Sequence, residues 1–220
     1  MNDDWLICLN DGQGGIIGHD RQGRLGPMTE KLSDYRHLIE GRTVLDLGSN
    51  AGHFPIVLRQ LGAKYVTAVE GRKCFQDFAR RTLRHLFPAA FDGIHWITSD
   101  VRKFRPDLAV GHHEIVTCFG LIYHVPNGWE HLRRIVSQSK AELLFLDTQI
   151  FPDCRSGKGW EISVRSLKTC LNWVSRVPHP TIGGAEKTME GFGWRPRLLL
   201  KDWLSEPGTH RALWLVEIRP

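Results

Sequence analysis

Short apolar runs alternate with longer helix-like segments through most of the chain. Five runs have the length and composition of buried parallel strands; they are Thr43–Leu47, Tyr65–Val69, Ile94–Ile97, Glu114–Cys118 and Glu142–Leu146. Four further segments are predicted to be helices, at Thr29–Leu38, Ala51–Leu61, Lys73–Phe87 and Glu130–Ser139. Because strands alternate with helices, the pattern predicts an α/β fold with a parallel sheet wound on both faces.

The pattern differs at the two ends of the chain. Residues 1–28 are rich in glycine and are predicted to form an irregular N-terminal arm, with Thr29 capping the first helix. Residues 148–180 show little periodicity, so we expect an insertion over the strand ends after the fifth strand. One more helix and an edge hairpin are predicted after it, at Ile182–Glu190, Arg197–Leu200 and Ala212–Ile218. No linker interrupts residues 1–220, which predicts a single domain.

The composition is that of an ordinary globular domain. The 220 residues are 41% hydrophobic and 24% charged, and no apolar run approaches the roughly 20 residues that cross a bilayer. The N-terminus lacks the features of a signal peptide, and five scattered cysteines without a CxxC pair predict free thiols, so we expect a cytoplasmic protein. The net charge of +5 permits a nucleic-acid partner without requiring one, and the oligomeric state stays open.

The segment from Val44 to Phe54 has the order strand, glycine turn, helix. The dinucleotide pattern GxGxxG would place three glycines where Gly48, Asn50 and His53 stand, so two of the three fail. The segment instead fits an acid, Asp46, followed by alternating small residues, with Asn50 in a position where it can adopt a left-handed turn. Such a turn suits S-adenosylmethionine, which lacks a pyrophosphate and offers an ammonium group to Asp46.

Two further acids follow the next two predicted strands. Glu70 is placed to bind ribose hydroxyls, and Asp100 is placed to accept from the exocyclic amine of adenine. Any one such acid is more often a surface residue, but three at consecutive strand ends indicate a ligand site at that edge of the sheet. The predicted cofactor-binding set is Asp46, Gly48, Ser49, Asn50, Gly52, Glu70, Gly71, Asp100, Val101 and Phe119.

These motifs resemble the class I S-adenosylmethionine-dependent methyltransferases, over about residues 41–146 most clearly. The resemblance implies an enzyme with a Rossmann-like, doubly wound seven-stranded sheet whose last strand is antiparallel, and S-adenosylmethionine as cofactor. The predicted terminal hairpin agrees with such a sheet.

The stretch Cys118–Pro126 is similar to a narrower subgroup, the bacterial enzymes that carboxymethylate the wobble uridine of tRNA. In that subgroup a tyrosine and an arginine contact the carboxylate of carboxy-S-adenosylmethionine, and Tyr123 and Arg211 match them by position. The Trp-Arg-Lys-Gly-Pro segment that supplies a lysine for the same carboxylate has no counterpart here. Ordinary S-adenosylmethionine is therefore the expected cofactor.

The residues on the predicted acceptor side allow two roles each. His124 is a candidate general base or a packing residue, and the alternative to base catalysis is in-line transfer driven by alignment alone. Tyr123 is a candidate catalytic or substrate-binding residue that orients the acceptor or lines the cofactor pocket. Trp160, like Trp173, either stacks on a planar acceptor or fills a small core under the insertion, and Arg211 is a candidate substrate ligand.

No metal site is predicted, because His112, His113 and Glu114 are contiguous and would alternate between the faces of a strand. His179, between two prolines, is expected to be a loop residue. The leading hypothesis is methylation of an oxygen or nitrogen atom of a small molecule. The alternatives are a tRNA-modifying methyl- or carboxymethyltransferase of the wobble-uridine type, and a non-catalytic binding subunit with the same fold.

Overall fold

The computed structural model describes residues 7–10, 16–19, 23–150, 160–161, 167–168, 174–175, 179–202 and 210–218, with side chains in the ranges 23–150, 179–202 and 210–218. The strands are β1 Ile7–Asn10, β2 Ile16–His19, β3 Thr43–Leu47, β4 Tyr65–Glu70, β5 Ile94–Thr98, β6 Ile115–Phe119, β7 Leu143–Ile150, β8 Trp160–Glu161, β9 Leu167–Lys168, β10 Val174–Ser175, β11 His179–Pro180, β12 Arg195–Lys201 and β13 His210–Glu217. The α-helices are α1 Leu25–Asp34, α2 Arg36–Ile39, α3 His53–Gln60, α4 Lys73–Phe78, α5 Arg84–Leu86, α6 Pro88–Phe91, α7 Pro106–Ala109, α8 Gly128–Ser139 and α9 Ile182–Gly191. A π-helix occupies Ala79–Leu83 and a 3-10 helix occupies Ile122–His124.

Seven of the strands form one mixed sheet in the order β12-β13-β7-β6-β3-β4-β5. The pairs β3–β4, β4–β5 and β6–β7 are parallel. At the other end, β13 pairs antiparallel with both β7 and β12. The α/β class, the seven-stranded sheet and the terminal hairpin are therefore confirmed.

The chain divides into two compact units, Met1–Phe104 and Arg105–Pro220. Whether residues 1–220 act as the single domain expected from the sequence stays a prediction. Among the helices of the described residues, none is long and apolar enough to cross a membrane.

In the first unit, the helix α1 begins earlier than the sequence predicted. Leu25, Met28 and Leu32 are all buried and follow one another at helical spacing, so the apolar face of the helix already starts at Leu25. Thr29 consequently lies inside the helix and does not cap it. The boundary of the predicted arm at residue 28 is wrong for the same reason, and within that arm β1 and β2 form an antiparallel hairpin rather than irregular chain.

In the second unit, β7 continues to Ile150, four residues past the predicted end at Leu146. The extension is held by β13, which pairs with β7 from His210 opposite Ile150 to Glu217 opposite Leu143. The insertion predicted at 148–180 therefore starts after Ile150. Of that insertion the structure describes β8 to β11, in which β8 pairs with β11 and β9 with β10; the remainder, including Trp173, lies outside the described residues.

Candidate functional site

The turn after β3 is built from alternating left-handed residues. Gly48 has φ 73°, Asn50 has φ 50° and Gly52 has φ 97°. The expectation that Asn50 adopts a left-handed conformation is confirmed. The backbone N–H groups of Gly48 and Ser49 both donate to the carbonyl oxygen of Val69, at 2.8 and 3.0 Å, which fixes the turn against the end of β4.

Gly52 is required first of all by packing. A Cβ atom at this position would lie 2.6 Å from Leu83 Cδ1 and 2.7 Å from Trp96 Cη2, closer than side chains tolerate. The glycine thus lets the start of α3 approach β5 and the π-helix. A direct role of Gly52 in cofactor binding stays a prediction.

Two polar side chains of this turn are buried. Asp46 is 2% exposed and Ser49 is 5% exposed. The Ser49 hydroxyl has no hydrogen-bond partner among the described residues. Because buried hydroxyls rarely stay unsatisfied, this atom fits a site that hydrogen-bonds a bound polar ligand.

The carboxylate of Glu70, at the end of β4, joins the turn to the residues that follow the strand. Its Oε2 atom accepts from the N–H of Asn50 at 2.9 Å and from Arg72 Nη2 at 3.2 Å. Its Oε1 atom accepts from the Arg72 N–H at 3.0 Å and from Arg72 Nε at 2.8 Å. Gly71, between the two residues, is half-buried.

Asp100, which follows β5, has a similar arrangement with the arginine two residues further on. Both oxygens accept from Arg102 Nε, at 2.9 and 2.8 Å, and the Arg102 N–H donates to Oδ1 at 2.9 Å. These hydrogen bonds from Arg102 hold the pKa of Asp100 below its ordinary value. The carboxylate is therefore ionised at neutral pH, and Val101 between the two residues is half-buried.

The second unit contains a buried polar cluster, formed by Tyr123, Asp147 and Arg211. Arg211 is 1% exposed and Asp147 is fully buried. Arg211 donates to Asp147 through Nε at 2.9 Å and through Nη2, and to the Tyr123 hydroxyl through Nη1 at 3.0 Å. Burial alone would lower the pKa of Arg211, but Asp147 and Tyr123 outweigh burial and raise it. The guanidinium therefore keeps its charge, balanced by one carboxylate.

Two histidines lie beside Tyr123. The ring centroid of His124 is 4.2 Å from that of Tyr123, and the centroid of His179 is 5.8 Å from it. His179 was expected to be an ordinary loop residue, but it is 7% exposed and belongs to this cluster. Its position depends on the pairing of β11 with β8, which no local pattern indicates.

Asp147 is the other member that the sequence interpretation missed. It follows the predicted fifth strand as Glu70 follows the predicted second strand, so the rule that ligands bind at strand ends could have found it.

Phe119, at the end of β6, is 6% exposed. The backbone of Trp160 lies in β8, and its side chain lies outside the described part of the chain. His112 Nε2 is 3.0 Å from the Lys140 carbonyl oxygen, and His113 Nδ1 is 3.3 Å from that of Gly111.

A family model described as a methyltransferase domain matches residues 17–179, more than half of the chain. No curated protein matches the chain. Solved structures with the same fold include the N-terminal domain of EvdMO1, crystallised with SAH and D-fucose, with a TM-score of 0.72 and 19% identity over 98% of this chain and 92% of that chain.

Two further structures extend the comparison. Magnesium protoporphyrin IX methyltransferase (ChlM) from Synechocystis PCC 6803, with bound SAH, has a TM-score of 0.62 and 14% identity over 88% of this chain and 83% of its own. An S-adenosylmethionine-dependent methyltransferase from Mesorhizobium loti has a TM-score of 0.56 and 15% identity over 84% of this chain and 96% of its own. These likenesses agree with the fold expected from the sequence, and the narrower likeness to the wobble-uridine enzymes stays a prediction.

Proposed function

The chain belongs to the methyltransferase-domain family, with the class I fold of S-adenosylmethionine-dependent enzymes, and from this premise we propose that it methylates an oxygen or nitrogen atom of a small molecule. The observation that carries the proposal is the left-handed turn from Gly48 to Gly52 beside the strand-end acids Asp46, Glu70 and Asp100. Ligands of open α/β sheets bind at this edge, beyond the carboxyl ends of the strands.

The residues of the first unit fit the parts of S-adenosylmethionine one by one. Asp46 binds the ammonium group of the methionine moiety, and the buried Ser49 hydroxyl supplies a polar partner beside it. Glu70 accepts from the ribose hydroxyls, and ionised Asp100 accepts from the amine of adenine. Gly71 and Val101 line the cofactor.

When bound, S-adenosylmethionine would supply an electrophilic methyl group on a positively charged sulfur, from which an acceptor lone pair would displace the neutral thioether. Tyr123 orients the acceptor through its hydroxyl, which Arg211 holds in place. Half-buried His124 takes the proton that the acceptor loses on methylation. Much of the rate comes from alignment of the acceptor with the methyl group.

A small acceptor is favoured by the named neighbours. One, an N-terminal domain, was crystallised with D-fucose and another is named for a magnesium porphyrin, and the chain spans most of that domain and of the porphyrin enzyme. A tRNA substrate is the second candidate. It is favoured by the exposed basic residues Arg80, Arg81, Arg84 and His85 on the segment Ala79–Leu86, and by the net charge of +5.

Two measurements test the proposal. Calorimetric titration with S-adenosylmethionine should give binding to the wild type and at least tenfold weaker binding to Asp46→Ala, with Asp92→Ala, an exposed acid of the same unit, as matched control. Absence of wild-type binding at millimolar ligand would exclude the proposal.

Metabolite and nucleoside profiling of cells fed with labelled methionine then compares wild type with Asp46→Ala. A small molecule labelled only with the wild type supports the first candidate, and a tRNA nucleoside labelled only with the wild type supports the second.

A further inference from the structure

The carboxylate of Glu70 already has a full set of hydrogen bonds. A carboxylate offers about four lone-pair positions, two on each oxygen. The four donors within 3.2 Å are the N–H groups of Asn50 and Arg72 and the Nε and Nη2 atoms of the Arg72 side chain. A ribose diol that donates to both oxygens must therefore replace some of these donors.

Only the Arg72 side chain can leave without disturbing the backbone. The N–H of Asn50 belongs to the left-handed turn, which Gly48 and Ser49 tie to Val69. The Arg72 N–H belongs to the chain that continues directly from β4. The Arg72 side chain, in contrast, is 21% exposed, so its guanidinium has a path to solvent.

We propose that Arg72 competes with the cofactor ribose for Glu70 and thereby sets the affinity of the site. This inference rests on the function proposed above. Ribose binding breaks the two hydrogen bonds from Nε and Nη2, and the diol makes two in their place. The guanidinium of Arg72 lies 3.9 Å from the centroid of the Phe75 ring, so this ring already provides a second contact for the cation.

Two roles of Arg72, competing with the ribose for Glu70 or orienting Glu70 for the ribose, predict opposite changes in cofactor affinity when Arg72 is removed. If Arg72 competes, its removal frees one hydrogen-bonding position on each oxygen of Glu70 and tightens binding of the ribose. If Arg72 instead orients Glu70 for the ribose, its removal weakens binding. A partly exposed ion pair contributes only a small free energy, so we expect Kd to change by about three- to tenfold.

The test is calorimetric titration of the full chain with S-adenosylhomocysteine, which lacks the sulfonium charge. Arg72→Leu keeps an apolar stem over Phe75 and removes both donors, and it should lower Kd. Lys73→Leu removes a positive charge one residue further on, where exposed Lys73 pairs with half-buried Asp77, and it should leave Kd unchanged. Arg72→Met serves as a second variant, and thermal melting checks the folding of each protein.

The Glu70→Gln background separates this inference from the function on which it rests. If Arg72 acts only through the Glu70 carboxylate, Arg72→Leu changes Kd much less in that background than in the wild type. An unchanged or raised Kd for both Arg72 variants, while the wild type binds and Glu70→Gln binds more weakly, overturns the competition and leaves the proposed function intact. A wild type that does not bind S-adenosylhomocysteine overturns both.

Discussion

Arg211 Nη1 donates a hydrogen bond of 3.0 Å to the hydroxyl of Tyr123, while the other edge of the same guanidinium is bound to Asp147. Tyr123, in the 3-10 helix after β6, and Asp147, within β7, are thus joined by one side chain from β13. Since all three are buried, the position of the Tyr123 hydroxyl depends on an ion pair that solvent does not reach.

Removing one member of the Asp147–Arg211 ion pair should destabilise the protein more than removing both members together. Asp147→Leu or Arg211→Met leaves one buried charge without its counter-ion, and each should lower the free energy of unfolding by about 3–5 kcal/mol. The double variant Asp147→Leu/Arg211→Met removes both charges and should cost clearly less than the sum of the two single changes. Urea unfolding measures all four proteins.

A control comes from the pair of exposed Lys73 and half-buried Asp77, where Lys73→Ala should change the unfolding midpoint little. Equal and additive losses for Asp147 and Arg211 would show that the two residues do not act as a unit.

The same pair bears on which cofactor is used. The resemblance to the wobble-uridine enzymes assigns Arg211 to the carboxylate of carboxy-S-adenosylmethionine, but in this protein its charge is already balanced by Asp147. A second buried carboxylate would lack a counter-charge. We therefore expect S-adenosylmethionine to bind more tightly than its carboxylated form by at least tenfold, as competing calorimetric titrations would measure. Equal affinity for the two cofactors would contradict the conclusion that Asp147 already balances the charge of Arg211.

Asp100 predicts a pH dependence of stability. Arg102 holds the folded pKa of Asp100 below its ordinary value, so the pair stabilises the fold above the unfolded pKa, and this contribution is lost as the pH falls through the folded pKa. Arg102→Leu should therefore unfold at lower urea concentration than wild type at pH 7, and the difference should shrink towards pH 3. In an Asp100→Asn background the Arg102 substitution should produce no such pH dependence; a difference that stays constant from pH 7 to pH 3 would rule out this role for the pair.

The sequence was informative where local chemistry decides the structure. The left-handed Asn50 and, to within one residue, the ends of β3, β4 and β5 follow from turn preferences and short apolar runs. The sequence was less informative where pairing with residues far along the chain decides where an element ends. The end of β7 at Ile150 depends on β13, some sixty residues further along the chain.

The two other differences have related causes. Thr29 has the side chain of a helix cap, but burial of Leu25 and Met28 starts the helix a turn earlier. The Thr29 hydroxyl instead lies 3.0 Å from His53 Nε2, at the first residue of α3. The π-helix Ala79–Leu83 within the predicted helix Lys73–Phe87 has no signal in the hydrophobic pattern.

The close packing of Gly52 predicts that this glycine is a structural requirement, whatever its role towards the cofactor. In Gly52→Ala the new methyl group would lie 2.6 Å from Leu83 Cδ1 and 2.7 Å from Trp96 Cη2, and the residue would keep a φ near 97°. Both effects oppose folding, and we expect a loss of about 1–3 kcal/mol in the free energy of unfolding. Gly183→Ala is the matched control, because a Cβ atom there meets nothing within 4 Å and α9 favours alanine over glycine. In thermal and urea unfolding, Gly52→Ala should therefore have a lower midpoint than the wild type. The midpoint of Gly183→Ala should equal or exceed that of the wild type. If Gly52→Ala unfolded like the wild type yet bound S-adenosylhomocysteine more weakly, the glycine would serve the ligand rather than the packing of α3 against Leu83 and Trp96.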